Sequence, residues 1–125
     1  MRVLLDSHSL LWSLEAPDRL PKGVLTLLMD GSIPVYVSIV TLWELQIKAG
    51  TGKLRLPPNL SDLIEASGFD LLGVAVHHVT QLGMLPLHHR DPFDRMLVAQ
   101  ATADGMTLVT ADRMATLYDV PVLWS

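Results

Sequence analysis

The chain has 125 residues, half of them apolar, and a formal charge of −4; this is enough for one self-supporting core and excludes a disordered chain. The absence of cysteine excludes disulfides, thiolate zinc sites and cysteine nucleophiles, and fits a reducing compartment, the cytoplasm. The acidic balance excludes a broad electrostatic grip on nucleic acid, while leaving open a local hold on RNA through bound cations.

Residues 2–5 (RVLL) form a brief apolar run that stops at Asp6 and read as a strand. The apolar N-terminus carries Asp6 and Glu15 and has no basic region before a clean apolar stretch, so it is not a signal peptide. No segment is long enough to span a membrane. Residues 7–15 read as a helix and residues 21–29 as the next, closed by Asp30-Gly31. Leu11, Trp12 and Leu14 on the first, with Leu25, Leu28 and Met29 on the second, have the spacing of core residues. Any surplus exposed patch among them suits a partner helix or a second copy of the chain.

Residues 34–38 (PVYVS) are rich in β-formers, and residues 39–49 read as a helix ending at Gly50. Gly50-Thr51-Gly52-Lys53 imitates part of a phosphate-binding loop. The full pattern fails, because Ile47 and Leu54 stand where a glycine and a hydroxyl residue belong, so this is a helix stop and a loop. A helix over 60–67 ends at Gly68, a weak strand follows over 71–74, and a short helix covers 76–83. Residues 92–103 form a helix closed by Asp104-Gly105. Strands over 107–110 and 120–124 complete the chain, and Pro121 places the last at a sheet edge. Alternating strands and helices predict an α/β fold: a five-stranded parallel sheet between helical layers, in one domain spanning 1–125.

In such a sheet the strand ends and following helix starts share one edge, where ligands bind. Asp6, Glu44, Asp91, Asp94 and Asp112 fall on that edge. Asp30, Asp70, Asp104 and Asp119 precede strands and fall on the other. Each of the five has a structural explanation. Asp6 and Asp91 suit helix caps, Asp91 with Pro92 at the first helical position. Glu44 with Thr41 makes a capping-box pattern, or Glu44 pairs with Lys48 one turn on. Asp94 suits the positive end of a helix dipole, and Asp112 the start of a short final helix. Together they suggest more. Gathered carboxylates repel one another and lose hydration, and a hard divalent cation such as Mg²⁺ offsets both costs.

Five spaced motifs carry a family resemblance: LLDSHSLLW (4–12), VSIVTLWELQIKAGTGKL (37–54), HHRDPFDRMLVAQA (88–101), LVTAD (108–112) and VPVLWS (120–125). The chain resembles, over its whole length, the PIN-domain ribonucleases of the VapC toxin type. The resemblance implies a metal-dependent ribonuclease with Asp6, Glu44, Asp94 and Asp112 as catalytic residues. Asp6, Asp94 and Asp112 would hold Mg²⁺ or Mn²⁺, and Glu44 would orient or deprotonate the attacking water. It also implies an RNA substrate, a cognate antitoxin protein and a homodimer. Ser7 stands where the family more often has threonine and keeps the hydroxyl. Ala115 stands where some members carry a further acid, leaving the fourth corner to Asp112 alone.

Arg90, Arg95 and Arg113 flank the expected crevice and are candidates for RNA phosphates, or for solvent and ion pairs. The pairs His77-His78 and His88-His89 have no recognised ligand spacing and read as solvated loop histidines. His8 points either toward the site or away from it. The alternative from another class is a non-catalytic PIN-like protein-binding module, in which the carboxylates are caps. A phosphoacceptor signalling domain would need an aspartate after the central strand and a lysine at the last strand; the run 71–74 gives no such aspartate, and no lysine follows Lys53.

Overall fold

Val3, Leu4 and Leu5 form the first strand, β1, and all three are buried. Three consecutive buried residues mean that both faces of the strand are covered, as in a parallel sheet packed between helices. Val3 and Leu5 join one core cluster with Leu10, Val24, Val37, Leu45 and Ile64, while Leu4 joins a second with Leu97, Val98, Met106 and Leu108. The structure, a computed structural model, describes residues 1–125.

The other strands are β2 (Val35–Ser38), β3 (Asp70–Leu72), β4 (Thr107–Val109) and β5 (Val122–Leu123). All neighbours pair in parallel, in the order β3-β2-β1-β4-β5. The expected five-stranded parallel sheet is therefore present. The helices are α1 (Ser7–Glu15), α2 (Lys22–Met29), α3 (Ile39–Gly50), α4 (Leu60–Ala66), α5 (Val76–Met84) and α6 (Pro92–Asp104). No helix is long and apolar enough to cross a membrane. The third strand starts at Asp70, one residue before the expected start, and Leu71 is half exposed. An edge strand with an open face leaves too little apolar signal to set its ends.

Two turns show local chemistry at work. Strand β2 runs directly into α3, and Ser38 is both its last residue and the cap, accepting from Val40 N–H at 3.1 Å. The Thr41–Glu44 capping box is thus absent, because the helix has already begun two residues before Thr41. Helix α6 opens on Asp91, which accepts from Phe93 and Asp94 N–H at 2.8 and 3.0 Å, with Pro92 at the first helical position. It closes on Gly105 at φ 67°, a left-handed conformation that favours glycine.

The histidine pair 77–78 departs from expectation. His78 is 2% exposed: its Nδ1 accepts from Ala75 N–H at 2.9 Å, and its Nε2–H donates to Asp104 Oδ2 at 2.8 Å. Exposed His77 reaches the other oxygen of Asp104 at 2.7 Å. Packing of α5 on α6 turned a nominal loop histidine inward. Burial pushes the Asp104 carboxyl up, but the hydrogen bonds from His78 and His77 outweigh it and hold it below the usual range. Asp104→Ala should cost about 1–3 kcal/mol at pH 7, since a buried N–H loses its acceptor. The wild-type advantage is present above the unfolded carboxyl value and fades as pH falls through the lowered folded one. Urea unfolding at pH 7 and at pH 3 checks both; equal stability at pH 7 removes the pair's structural role.

Candidate functional site

The strand order reverses beside β1: the chain moves outward to β2 and β3, then returns to place β4 on the other side. A crevice opens at such a switch point, outside the carboxyl ends of the strands. Asp6 leaves the end of β1 and caps α1, with Oδ1 accepting from Ser9 N–H at 2.9 Å. Beyond β4, Thr110 donates from its hydroxyl to Asp6 Oδ2 at 2.6 Å and accepts from Asp112 N–H at 3.0 Å. One buried hydroxyl thus ties together the acids that follow two neighbouring strands. Asp112 Oδ1 caps the following turn by accepting from Met114 N–H at 2.9 Å.

Glu44 enters from the second turn of α3. It is 5% exposed, accepts from Ser7 Oγ, and is paired with Lys48 Nζ at 2.9 Å. That contact raises the Lys48 ammonium, so it stays charged beside the crevice. Asp94 enters from the first turn of α6. Burial, then the charges of Asp91 and Glu44, push its carboxyl up to about 7; His89 opposes this and Asp112 adds to it.

Asp6, Glu44, Asp91, Asp94, Asp112 and Lys48 all line this crevice, whose volume is about 330 Å³. Five carboxylates against one ammonium make a concentrated negative field. Their oxygens are the hard donors that Mg²⁺ or Mn²⁺ takes. Asp6 and Asp112 are pinned in place, and Asp94 carries the repulsion a cation would relieve. The donor set fits a hard divalent ion.

A family model described as PIN domain matches residues 3–122.

The chain belongs to the PIN-domain family.

Solved structures share its fold. VapBC2 from Rickettsia felis bound to a DNA fragment from its promoter matches with a TM-score of 0.76 and 16% identity, over 100% of both chains. DNA-bound VapBC from Salmonella typhimurium matches at 0.71 and 18% identity, over 98% of this chain and 97% of that one. FitAcB from Neisseria gonorrhoeae matches at 0.60 and 19% identity, over 97% and 96%. No curated protein matches it in sequence.

Within this PIN fold the five edge acids meet, as the strand–helix order implied. Asp91 is a cap and a lining residue at once. The Glu44–Lys48 pair is the one-turn alternative offered by the sequence, whereas the parts played by Ser7 on Glu44 and by Thr110 between Asp6 and Asp112 were not expected. The threonine two residues before Asp112 in LVTAD is the only sequence trace of this last role. His8 lines the crevice, with its ring against Trp12 at 5.7 Å. His89 is not a solvated loop residue: its Nε2 stands 2.8 Å from Asp112 Oδ2 and 3.2 Å from Asp94 Oδ2. The arginines do not line the crevice. Arg95 donates to Pro86 O and to the Tyr118 hydroxyl, while Arg90 and Arg113 are exposed. Leu11, Trp12, Leu14, Leu25 and Leu28 pack against the first core cluster, but Met29 is 77% exposed.

Proposed function

We propose that this chain is a divalent-cation-dependent ribonuclease, the toxin of a toxin–antitoxin pair acting in the cytoplasm. The observation that carries the reading is the convergence of Asp6, Glu44, Asp94 and Asp112 on one crevice at the switch point of a PIN fold. Asp6, Asp94 and Asp112 would hold the ion. When bound, it would supply an acidified water and neutralise charge growing on the scissile phosphate. The protein's own residues supply the positioning. Ser9 N–H and Thr110 keep Asp6 facing the crevice, and Met114 N–H does the same for Asp112. Glu44 is buried and held by Ser7 and Lys48, which suits a water-orienting role better than proton abstraction. Attack by water on the phosphate leaves a 5′-phosphate and a 3′-hydroxyl.

Partners follow from the resemblance. VapBC and FitAB are two-component assemblies in the related structures, and an antitoxin and a second copy of this chain are the partners proposed here. Beside the crevice, Ile39, Trp43, Phe93 and Met96 line an apolar groove of about 510 Å³, and Trp43 is 62% exposed. Such a surface suits a protein partner. It also supports the second reading, a module that only binds protein. Arg90 and Arg113, exposed and next in sequence to the lining residues Asp91 and Asp112, are proposed to touch RNA phosphates.

Incubation of the purified chain with total RNA in Mg²⁺, with a chelator and Asp6→Asn as controls, separates the readings. Cleavage only by the wild type with Mg²⁺ supports the nuclease. Intact RNA in every lane, from a folded protein that binds a partner chain, supports the module.

A further inference from the structure

We propose that His89 is a positioning residue for the cation: its ring donates to Asp112, stands against Asp94, and holds the two carboxylates together. The proposal rests on the metal-dependent reading above.

His89 is fixed at both ends. Its backbone N–H donates to the buried Tyr118 hydroxyl at 2.8 Å. Its Nδ1 accepts from Asp91 N–H at 3.1 Å, within the turn that opens α6. An Nδ1 that accepts leaves the proton of the neutral ring on Nε2. That nitrogen donates to Asp112 Oδ2 at 2.8 Å and faces Asp94 Oδ2 at 3.2 Å. The three polar atoms lie within 4.8 Å of one another, a spacing that would also suit three metal ligands. The protonation pattern rules that out for His89, because a nitrogen carrying hydrogen has no lone pair for an ion. Each carboxylate oxygen accepts at two positions, so one can take the imidazole N–H while the other stays open to a cation. Two carboxylates from different elements, one after β4 and one on α6, otherwise repel each other apart. Hydrogen-bonded partners of this kind typically carry 10–100-fold in metal affinity.

The test is calorimetric titration of MgCl₂ into the full chain and its His89→Ala, His89→Asn and His89→Gln variants. A glutamine amide N–H reaches where Nε2 stands, whereas an asparagine amide stops short. His89→Ala and His89→Asn should bind Mg²⁺ about 10–100-fold more weakly, and His89→Gln within about threefold of wild type. Wild-type affinity in His89→Asn overturns the assignment, and so does a His89→Gln variant as weak as His89→Asn. The Asn and Gln pair decides the matter even if His89→Ala does not fold. If the wild-type chain binds no Mg²⁺, the metal-dependent reading itself fails. If the wild type binds and cleaves while His89→Asn matches it, only the His89 assignment falls.

Discussion

Asp94→Asn should reduce RNA cleavage in Mg²⁺ by about a thousandfold or more, and should at the same time make the metal-free protein more stable at pH 8. The two effects have one cause. Asp94 sits where burial and the charges of Asp91 and Glu44 oppose its ionisation, raising its carboxyl to about 7. The folded chain therefore holds this proton more tightly than the unfolded chain does. Stability from the protonated form is complete below the unfolded value and is lost as pH rises through about 7. A shift from 3.8 to about 7 corresponds to roughly 4 kcal/mol at 1.36 kcal/mol per unit, but the side chain is 33% open to solvent. Screening reduces the penalty to about 1–2 kcal/mol. Asparagine removes the charge and the penalty with it. The gain should be present at pH 8 and disappear near pH 4.

The same charge is what a cation would use. Saturating Mg²⁺ at a hundred times its dissociation constant should stabilise the wild type by about 2.7 kcal/mol and leave Asp94→Asn unmoved. Loss of the ion's anchor then removes about 4 kcal/mol or more of transition-state stabilisation, the thousandfold in rate. Chemical denaturation at pH 4 and 8, with and without MgCl₂, reads the stability arm, and cleavage rates read the other. An Asp94→Asn protein that cuts RNA at the wild-type rate takes Asp94 out of the scheme. One that is less stable than wild type at pH 8 refutes the electrostatic account alone.

Leu5→Ala should destabilise the chain by about 2–5 kcal/mol. Leu5 is fully buried in the middle strand of the sheet, and lies one residue before Asp6. Its side chain packs in the cluster that includes Leu10 of α1, Val37 of β2 and Leu45 of α3. Alanine leaves a void between rigid neighbours, and parallel strands held on both sides have little room to close it. Domains of this size have only about 5–15 kcal/mol of stability in total, so the loss is a large share. Thermal or urea unfolding measures it. A change below about 1 kcal/mol would falsify the claim that the site's first acid is mounted on the tightest part of the core.

Much of this was readable from the residues in order. The run Val3-Leu4-Leu5 ending at Asp6 announced a doubly covered strand with an acid at its tip, because the same three residues must face two helical layers. Asp91-Pro92 fixed the start of α6, because a cap oxygen and a proline act within one turn. Asp104-Gly105 fixed its end for a similar local reason. The Thr41–Glu44 pattern misled because local spacing alone does not say where a strand hands over to a helix.

Sequence by itself therefore determined the strand–helix alternation, the parallel sheet and the edge on which each acid lies. These follow from hydrophobic periodicity and chain direction, which are properties of neighbouring residues. Only the tertiary structure decided what each side chain meets there. Thr110 bridges Asp6 and Asp112, Ser7 reaches Glu44, and His89 turns from solvent to face two carboxylates. Such contacts join residues as far apart as Asp6 and Thr110, separated by 104 positions. Their direction is set by rotamer, packing and burial after the sheet has formed, and none of these leaves a spacing rule in the chain.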